Sequence, residues 1–148
     1  MVTLRPARPE DAPILNQTCF PHYAPDEMID RLTASLARAE VGRGLRLVAE
    51  QDGQIVGCGE LLSWHRGAEI ADLIVVPSYR NQGIGEALIR ALLEHSKSLG
   101  LPTVEIGVQV ENQQARTLYE RLGFSYQRTV QLALEDSRSA IVYLKREA

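Results

Sequence analysis

Apolar residues recur along this chain with two different periods, and their alternation predicts a mixed α/β protein. Between Asp26 and Ala39 the apolar side chains stand three or four positions apart, as they do on one face of a helix. From Gly83 to Leu99 the apolar stripe is broader, so the predicted helix must cover a sheet. Two shorter helices are predicted, from about Pro9 to Phe20 and from Gln113 to Arg121.

The remaining apolar runs are short and bounded by turn residues, which is typical of strands. Leu45 to Gln51 and Gln54 to Ser63 flank Asp52-Gly53, a strong hairpin signal. Glu69 to Val76 is the next predicted strand, and Pro77 ends it. Three later strands are predicted, at Val104 to Val110, Phe124 to Leu134 and Ala140 to Lys145. The order of strands and helices favours an α/β fold, a mixed sheet with helices on both faces.

Composition narrows the class of protein. The 148 residues, 45% of them hydrophobic, fit one domain over residues 1–148 with a single good core. The net charge is −3 and the basic residues are scattered, so no nucleic-acid partner is expected. The chain has no apolar run of membrane-spanning length and no signal peptide, which predicts a cytoplasmic protein without a membrane partner. Cys19 and Cys58 lack metal spacing and are expected as reduced thiols, and no metal is predicted.

Any anionic ligand must then be captured locally, and a loop suited to that task follows the strand that ends at Val76. Arg80-Asn81-Gln82-Gly83-Ile84-Gly85 opens the long helix. The two glycines allow a tight turn and a close backbone approach, and the free N–H groups of a helix start attract phosphate. Arg80 adds a charge-assisted contact. The segment is neither a P-loop nor the three-glycine dinucleotide motif, because it lacks their further residues.

A second motif lies in Glu111 to Phe124, which reads N-x-x-A-x-x-L-Y-x-x-x-G-F from Asn112. With R-x-x-G-x-G at Arg80, it resembles the GNAT superfamily of acyl-CoA-dependent N-acyltransferases. Leu4 to Ala7 and Glu10 to Ala12 are similar to that family's opening strand and first helix. The resemblance implies six to seven strands in a mostly antiparallel, centrally splayed sheet. It also implies acetyl-CoA as the acyl-donor co-substrate.

The same resemblance implies where acetyl-CoA binds and which residue serves as general acid. Tyr119 is expected to protonate the departing thiolate; the alternative is that its ring only anchors the helix. Asn112 is expected near the pantetheine arm, and an Asn there is also a good helix N-cap. The expected acetyl-CoA contacts are Ile74, Val75, Val76, Arg80, Asn81, Gln82, Gly83, Ile84, Gly85, Glu86, Asn112 and Tyr119.

The general base is left open by the sequence. Asp72 is the first candidate, with Glu69, Glu60 and Glu105 as substitutes, and each could equally be a solvated strand carboxylate. A water chain is a further alternative. Some acetyltransferases of peptide N-termini in this superfamily carry a Glu where this chain has Gly107. That departure weakens both a base on this strand and a protein N-terminus as substrate.

The acceptor is expected to be a primary amine of a small molecule or peptide, bound by a monomer or homodimer. His22 and Tyr23 would wall its pocket unless they belong to a plain surface loop, and Trp64 and Phe20 would line it or fill the core. Clustered carboxylates on neighbouring strands would suit a cationic amine. Two other functions stay open: a non-catalytic acyl-CoA-binding module, and an acetyltransferase acting on protein lysines or N-termini.

Overall fold

The computed structural model describes residues 1–131 and 140–148, which form a seven-stranded sheet with helices on both faces. The strands are β1 Thr3–Pro6, β2 Gly44–Gln51, β3 Gln54–Trp64, β4 Gly67–Val75, β5 Thr103–Gln109, β6 Ser125–Gln131 and β7 Ala140–Glu147. The helices are α1 Ala12–Thr18, α2 Pro25–Glu40, α3 Ile84–Ser98 and α4 Gln113–Arg121, with short 3₁₀ turns at Pro9–Asp11 and Pro77–Tyr79. The last residues of the strand predicted from Phe124 to Leu134 lie outside the described residues.

The strand order β1-β2-β3-β4-β5-β7-β6 confirms a mostly antiparallel sheet. Only β4 and β5 run parallel among the described strands, because α3 crosses over between them. Their pairing covers three rungs and ends at Ile70 and Ile106. Beyond that rung the two strands have no ladder in common, which leaves a gap in the middle of the sheet.

A bulge in β4 explains why the sheet opens there. The β3–β4 register shifts between Cys58 and Glu60, which face Ile74 and Ala71. The extra residue in β4 lies in this stretch, where Asp72 has a left-handed backbone with φ of 53°. A bulge bends its strand and raises the local twist, so it turns β4 away from β5 just past their last shared rung.

The buried side chains of the described residues form two clusters, one on each face of the sheet. The α3 face packs Leu88 and Leu92 of the crossover helix against strand residues such as Ile106. The α1–α2 face packs Leu15 and Met28 against β2 and β3, and Cys19 and Cys58 lie there as free thiols. Each fully buried large apolar side chain contributes about 1.5–3 kcal/mol to folding.

Turn chemistry sets several element boundaries as the sequence predicts. Asp52 and Gly53 both have positive φ, 55° and 75°, as the central residues of a type I′ hairpin require. Gly100, with φ of 71°, follows α3. The helices within the described ranges are too short or too polar to span a membrane.

Candidate functional site

An open cleft of about 680 Å³ lies where β4 and β5 separate. Its walls are the end of β4, the loop that opens α3, and α4. The predicted ligand residues that line it are Ile74, Val75, Arg80, Asn81, Gly83, Ile84, Gly85, Glu86, Asn112 and Tyr119. Asp72, Val76 and Gln82 do not line it, and Val76 already donates its N–H to the carbonyl of Val56.

The two glycines of the loop are required for different reasons. Gly83 is the N-cap of α3 and has φ of 83°, a left-handed conformation that glycine adopts without strain. Gly85 has no such conformation. A Cβ placed on it would meet only the Val75 Cγ2 atom, at 3.8 Å, which is an ordinary contact. Protein packing therefore does not require glycine at position 85, and its bare backbone keeps the cleft open to a ligand.

The start of α3 is suited to an anion. The first N–H groups of a helix have no intrahelical partner and carry a partial positive charge. Arg80 is exposed and donates from its Nε to the Val75 carbonyl, 2.9 Å away. It forms no ion pair with any carboxylate of residues 1–131 or 140–148, so its charge is available in the cleft. The residues present therefore fit a diphosphate group.

Glu86 is the one acidic side chain in the predicted ligand set, and its charge is compensated. Its carboxylate accepts hydrogen bonds from Arg90 Nε at 3.0 Å and from Arg121 Nη2 at 2.9 Å. These two guanidinium groups, Arg90 most of all, hold the pKa of Glu86 below its ordinary value. What Glu86 offers an anionic ligand is therefore its backbone N–H.

Tyr119 lies on the α4 wall of the cleft and is almost fully buried. Its ring packs near Phe124, with centroids 6.3 Å apart. Burial raises the pKa of the Tyr119 phenol, so the group keeps its proton at neutral pH and can act as a donor. Both expected functions, ring packing and proton donation, are compatible with this position.

Asn112 begins α4, as an N-cap residue does. Its Oδ1 accepts the N–H of Ala115 at 3.1 Å, which confirms the capping alternative for this residue. Nearby, Gln114 Nε2 donates to Asn81 Oδ1 at 2.7 Å and joins α4 to the loop across the cleft.

A model of the family described as Acetyltransferase (GNAT) family matches residues 11–124. The chain belongs to the GNAT acetyltransferase family. The match includes both motifs on which the resemblance was based, at Arg80 to Gly85 and at Asn112 to Phe124, and it confirms the expected family.

Two relatives and one solved structure give the scale of similarity to this GNAT protein. Mycothiol acetyltransferase of Streptomyces griseus is 31% identical over 129 residues, 83% of this chain and 42% of that protein. A putative [ribosomal protein bS18]-alanine N-acetyltransferase of Bacillus subtilis is 35% identical over 78 residues, 52% of this chain and 51% of that protein. The chain thus spans about half the length of these relatives or less.

The fold is confirmed by the structure of YncA, a putative acetyltransferase from Salmonella typhimurium with its cofactor acetyl-CoA. It superposes on this GNAT chain with a TM-score of 0.84 at 19% identity, covering 99% of this chain and 94% of that one. At this level of identity the similarity establishes the arrangement of strands and helices.

Two of the four candidate bases of the GNAT protein are bound to buried arginine. Arg46 Nη2 contacts Glu60 Oε1 at 2.8 Å and Asp72 Oδ2 at 2.9 Å. Arg38 Nη2 reaches the other Glu60 oxygen at 3.0 Å. Glu60 is fully buried within these contacts. The expected acidic wall is therefore neutralised at Glu60 and Asp72, and proton acceptance by Asp72 would compete with its ion pair.

Glu69 has a different environment on the same face of the sheet. It is half-buried and accepts a hydrogen bond from Trp64 Nε1 at 3.0 Å. No arginine or lysine of the described ranges forms an ion pair with it, whereas Glu105, its register partner on β5, pairs with Arg128. Burial, with a smaller part from the charge of Glu105, raises the pKa of Glu69. The surroundings of Glu69 therefore increase its affinity for a proton, as a candidate base requires.

The remaining acceptor-side candidates are separated by burial. Phe20 is in the core, with Tyr23 stacked on it at 5.3 Å, whereas Trp64 and His22 are exposed.

Several residues that line the cleft were not predicted from the sequence: Leu73, Tyr79, Gln114, Ala115, Thr117, Leu118 and Arg121. Helical spacing from Asn112 and Tyr119 was the available signal for the α4 residues among them.

Proposed function

We propose that this protein transfers an acetyl group from acetyl-CoA to a primary amine of a small molecule or peptide, by direct attack of the amine, with Tyr119 as general acid. The observation that carries the proposal is that Tyr119, a buried and protonated phenol, lines the same cleft as the Arg80–Gly85 loop. An anion-binding helix start and a proton donor are thus brought together where the sheet opens.

Acetyl-CoA supplies the activated acyl group as a thioester. We assign its diphosphate to the backbone N–H groups from Gly83 to Glu86 and to Arg80, because the α3 start meets the cleft there. Its amide-bearing arm would lie along Ile74 and Val75, where β4 has left its pairing with β5. Asn112 uses its Oδ1 as a cap, so its amide nitrogen is the group left for the ligand.

The acceptor must lose a proton before it can attack. An ordinary alkylamine has a pKa near 10.4 and is neutral in only about one part in a thousand at pH 7. Asp72 was the first candidate base, and its ion pair with Arg46 works against it. We therefore propose Glu69 as the base, since its raised pKa and lack of a described ion-pair partner suit proton acceptance.

The test of this function is acetyl-CoA-dependent release of free CoA thiol across a panel of amines. The panel contains polyamines, amino acids, aminoglycosides, arylamines and peptides that carry either a lysine or a free N-terminus. Release with one acceptor class, together with the acetylated product by mass spectrometry, is the expected result. The mycothiol and ribosomal-protein enzymes named above make both small molecules and peptides necessary members of the panel.

The second candidate is a non-catalytic acyl-CoA-binding module. Gly107 favours it, because β5 offers no side chain beside the gap where some relatives carry a Glu. Tight acetyl-CoA binding without thiol release for any panel member is the result expected of such a module. An acetyltransferase of protein lysines or N-termini would respond only to the peptide members.

The organisation of the protein also remains a proposal. We expect residues 1–148 to be one acetyltransferase domain of a cytoplasmic monomer or homodimer, with no nucleic-acid or membrane partner and no metal. Sedimentation equilibrium of the full chain tests the oligomeric state, and proteolysis that leaves one resistant fragment of nearly full length is the result expected for a single domain.

A further inference from the structure

On the α1–α2 face, three neighbouring strands bring Gly107, Tyr143 and Arg128 together. Gly107 of β5 pairs with Tyr143 of β7, which pairs in turn with Arg128 of β6. Ile106 and Val108 are buried in the α3-face cluster, so by alternation Gly107 and its partners point to the opposite face. Gly107 is also the first β5 residue past the last rung shared with β4, so this group borders the gap.

The Tyr143 ring fills the space that a side chain at Gly107 would occupy. A Cβ on Gly107 would lie 3.0 Å from Tyr143 Cε1 and 3.1 Å from Ile141 Cγ2, both tighter than an ordinary contact. The Arg128 guanidinium stacks on the ring at 4.4 Å from its centroid, and it is itself ion-paired with Glu105. A ring held in this way is a fixed wall, because moving it breaks the stacking contact as well.

The opposite boundary of the same space is acidic and aromatic. Glu69 lies beside Glu105 in the β4–β5 register, one rung before the last that the two strands share, and Trp64 donates to its carboxylate. The α1–α2 side of the gap is thus bounded by a carboxyl group and the Trp64 side chain on the β4 side, and by the Tyr143 ring on the β7 side. These side chains are therefore the ones that an amine approaching the gap from this face would meet.

We propose that Tyr143 is a specificity-determining residue for the acceptor: its ring over Gly107 restricts the site to unbranched primary amines and excludes amines substituted on the carbon next to nitrogen. This rests on the proposed acetyl transfer. The favoured chemical class carries an aminomethyl group, as a lysine side chain or an alkylamine does, and the excluded class includes the α-amino group of a peptide. One additional carbon at a tight site changes specificity by roughly 10- to 200-fold.

Two isomeric amines isolate this effect. n-Butylamine and sec-butylamine have the same composition and differ in branching next to nitrogen. With acetyl-CoA saturating, we expect the wild-type kcat/KM for n-butylamine to exceed that for sec-butylamine by about tenfold or more. Tyr143→Ala is expected to reduce this ratio at least about fivefold, mainly because the branched amine gains. Tyr143→Phe keeps the ring and should keep the ratio.

The matched control is Tyr126→Ala. Tyr126 is a half-exposed tyrosine on the neighbouring strand β6, and Arg116 of α4 stacks over its ring at 5.8 Å from the centroid. It therefore has the same kind of arginine contact on the α3 face, away from Gly107. The butylamine ratio should be unchanged in this variant.

The packing itself has a readout that does not need activity. Gly107→Ala should lower Tm in the wild-type background, because the new methyl group meets the ring, and should lower it much less in the Tyr143→Ala background. An equal loss of Tm in both backgrounds would overturn the premise that the Tyr143 ring fills the space beside Gly107. An unchanged butylamine ratio in active Tyr143→Ala would overturn the specificity proposal alone. A wild-type protein that acetylates no amine would overturn the proposed function and this inference with it.

Discussion

The two sides of the gap between β4 and β5 differ in whether backbone groups or side chains form them. On the side to which we assign the cofactor, the proposed binding groups are mostly backbone N–H groups at the start of α3. On the acceptor side, single side chains from four strands meet, as Glu69, Glu105, Tyr143 and Arg128 do. A backbone site tolerates almost any sequence that preserves its glycines, whereas a side-chain site changes with each substitution. Proteins with this arrangement can therefore share one acyl donor while differing in the acceptor that they select.

The largest expected effect is at Tyr119, the proposed general acid. Tyr119→Phe should lower kcat by about 10²–10⁴-fold, as loss of a general acid does, while the Kd for acetyl-CoA changes little. Stopped assays of CoA thiol release and calorimetric titration measure the two quantities. Tyr126→Phe removes a hydroxyl at a distance from the cleft and is the matched control. Unchanged kcat in Tyr119→Phe would remove this residue from the mechanism.

The next largest effect is expected at the general base, and its pH profile distinguishes Glu69 from Asp72. Glu69→Gln should lower kcat at least about a hundredfold and abolish the acidic limb of the pH profile of kcat/KM. Asp72→Asn should keep that limb, because Asp72 is bound to Arg46. If instead the limb disappears only in Asp72→Asn, the assignment reverses and the original candidate is the base.

Three glycines, one in α3 and one beyond each of its ends, test whether the cofactor side is a backbone site. Gly85→Ala should weaken acetyl-CoA binding about tenfold or more without loss of stability, since only the ligand needs the space. Gly100→Ala should cost about 1–2 kcal/mol of unfolding free energy, because φ is 71°, and leave binding intact. Gly83→Ala should both weaken acetyl-CoA binding and lower the free energy of unfolding. Retained affinity in Gly85→Ala would contradict the close backbone approach.

The smallest expected effect is the pH dependence of stability at Glu69. The pKa of Glu69 is higher in the folded protein than in the unfolded chain, so binding a proton there favours folding. This contribution to stability is fully present below the ordinary glutamate pKa and is lost as pH rises through the folded pKa. Glu69→Gln should therefore raise Tm at pH 7 to 8 and give no gain near pH 3.5. Glu105→Gln, which loses an ion pair to Arg128, should give no gain at either pH.

The cofactor side was predictable from the sequence because its signals are local. The loop at Arg80 and the cap at Asn112 each lie within a few residues, and the structure places both at one cleft. The acceptor side depends on register between strands far apart in sequence. Nothing local indicates that Arg46 forms ion pairs with both Glu60 and Asp72, or that Tyr143 covers Gly107. The bulge at Asp72, which opens the sheet, was equally invisible in the hydrophobic pattern.

The central claim is that the cleft binds the donor and the opposite face selects the acceptor. Two-substrate initial rates for wild type, Gly85→Ala and Tyr143→Ala, each with both butylamines, test it most directly. We predict that Gly85→Ala raises only the KM for acetyl-CoA and that Tyr143→Ala changes only the ratio between the amines. Two results would contradict this claim. One is an altered amine preference in Gly85→Ala, and the other is an altered acetyl-CoA KM with an unchanged amine ratio in Tyr143→Ala.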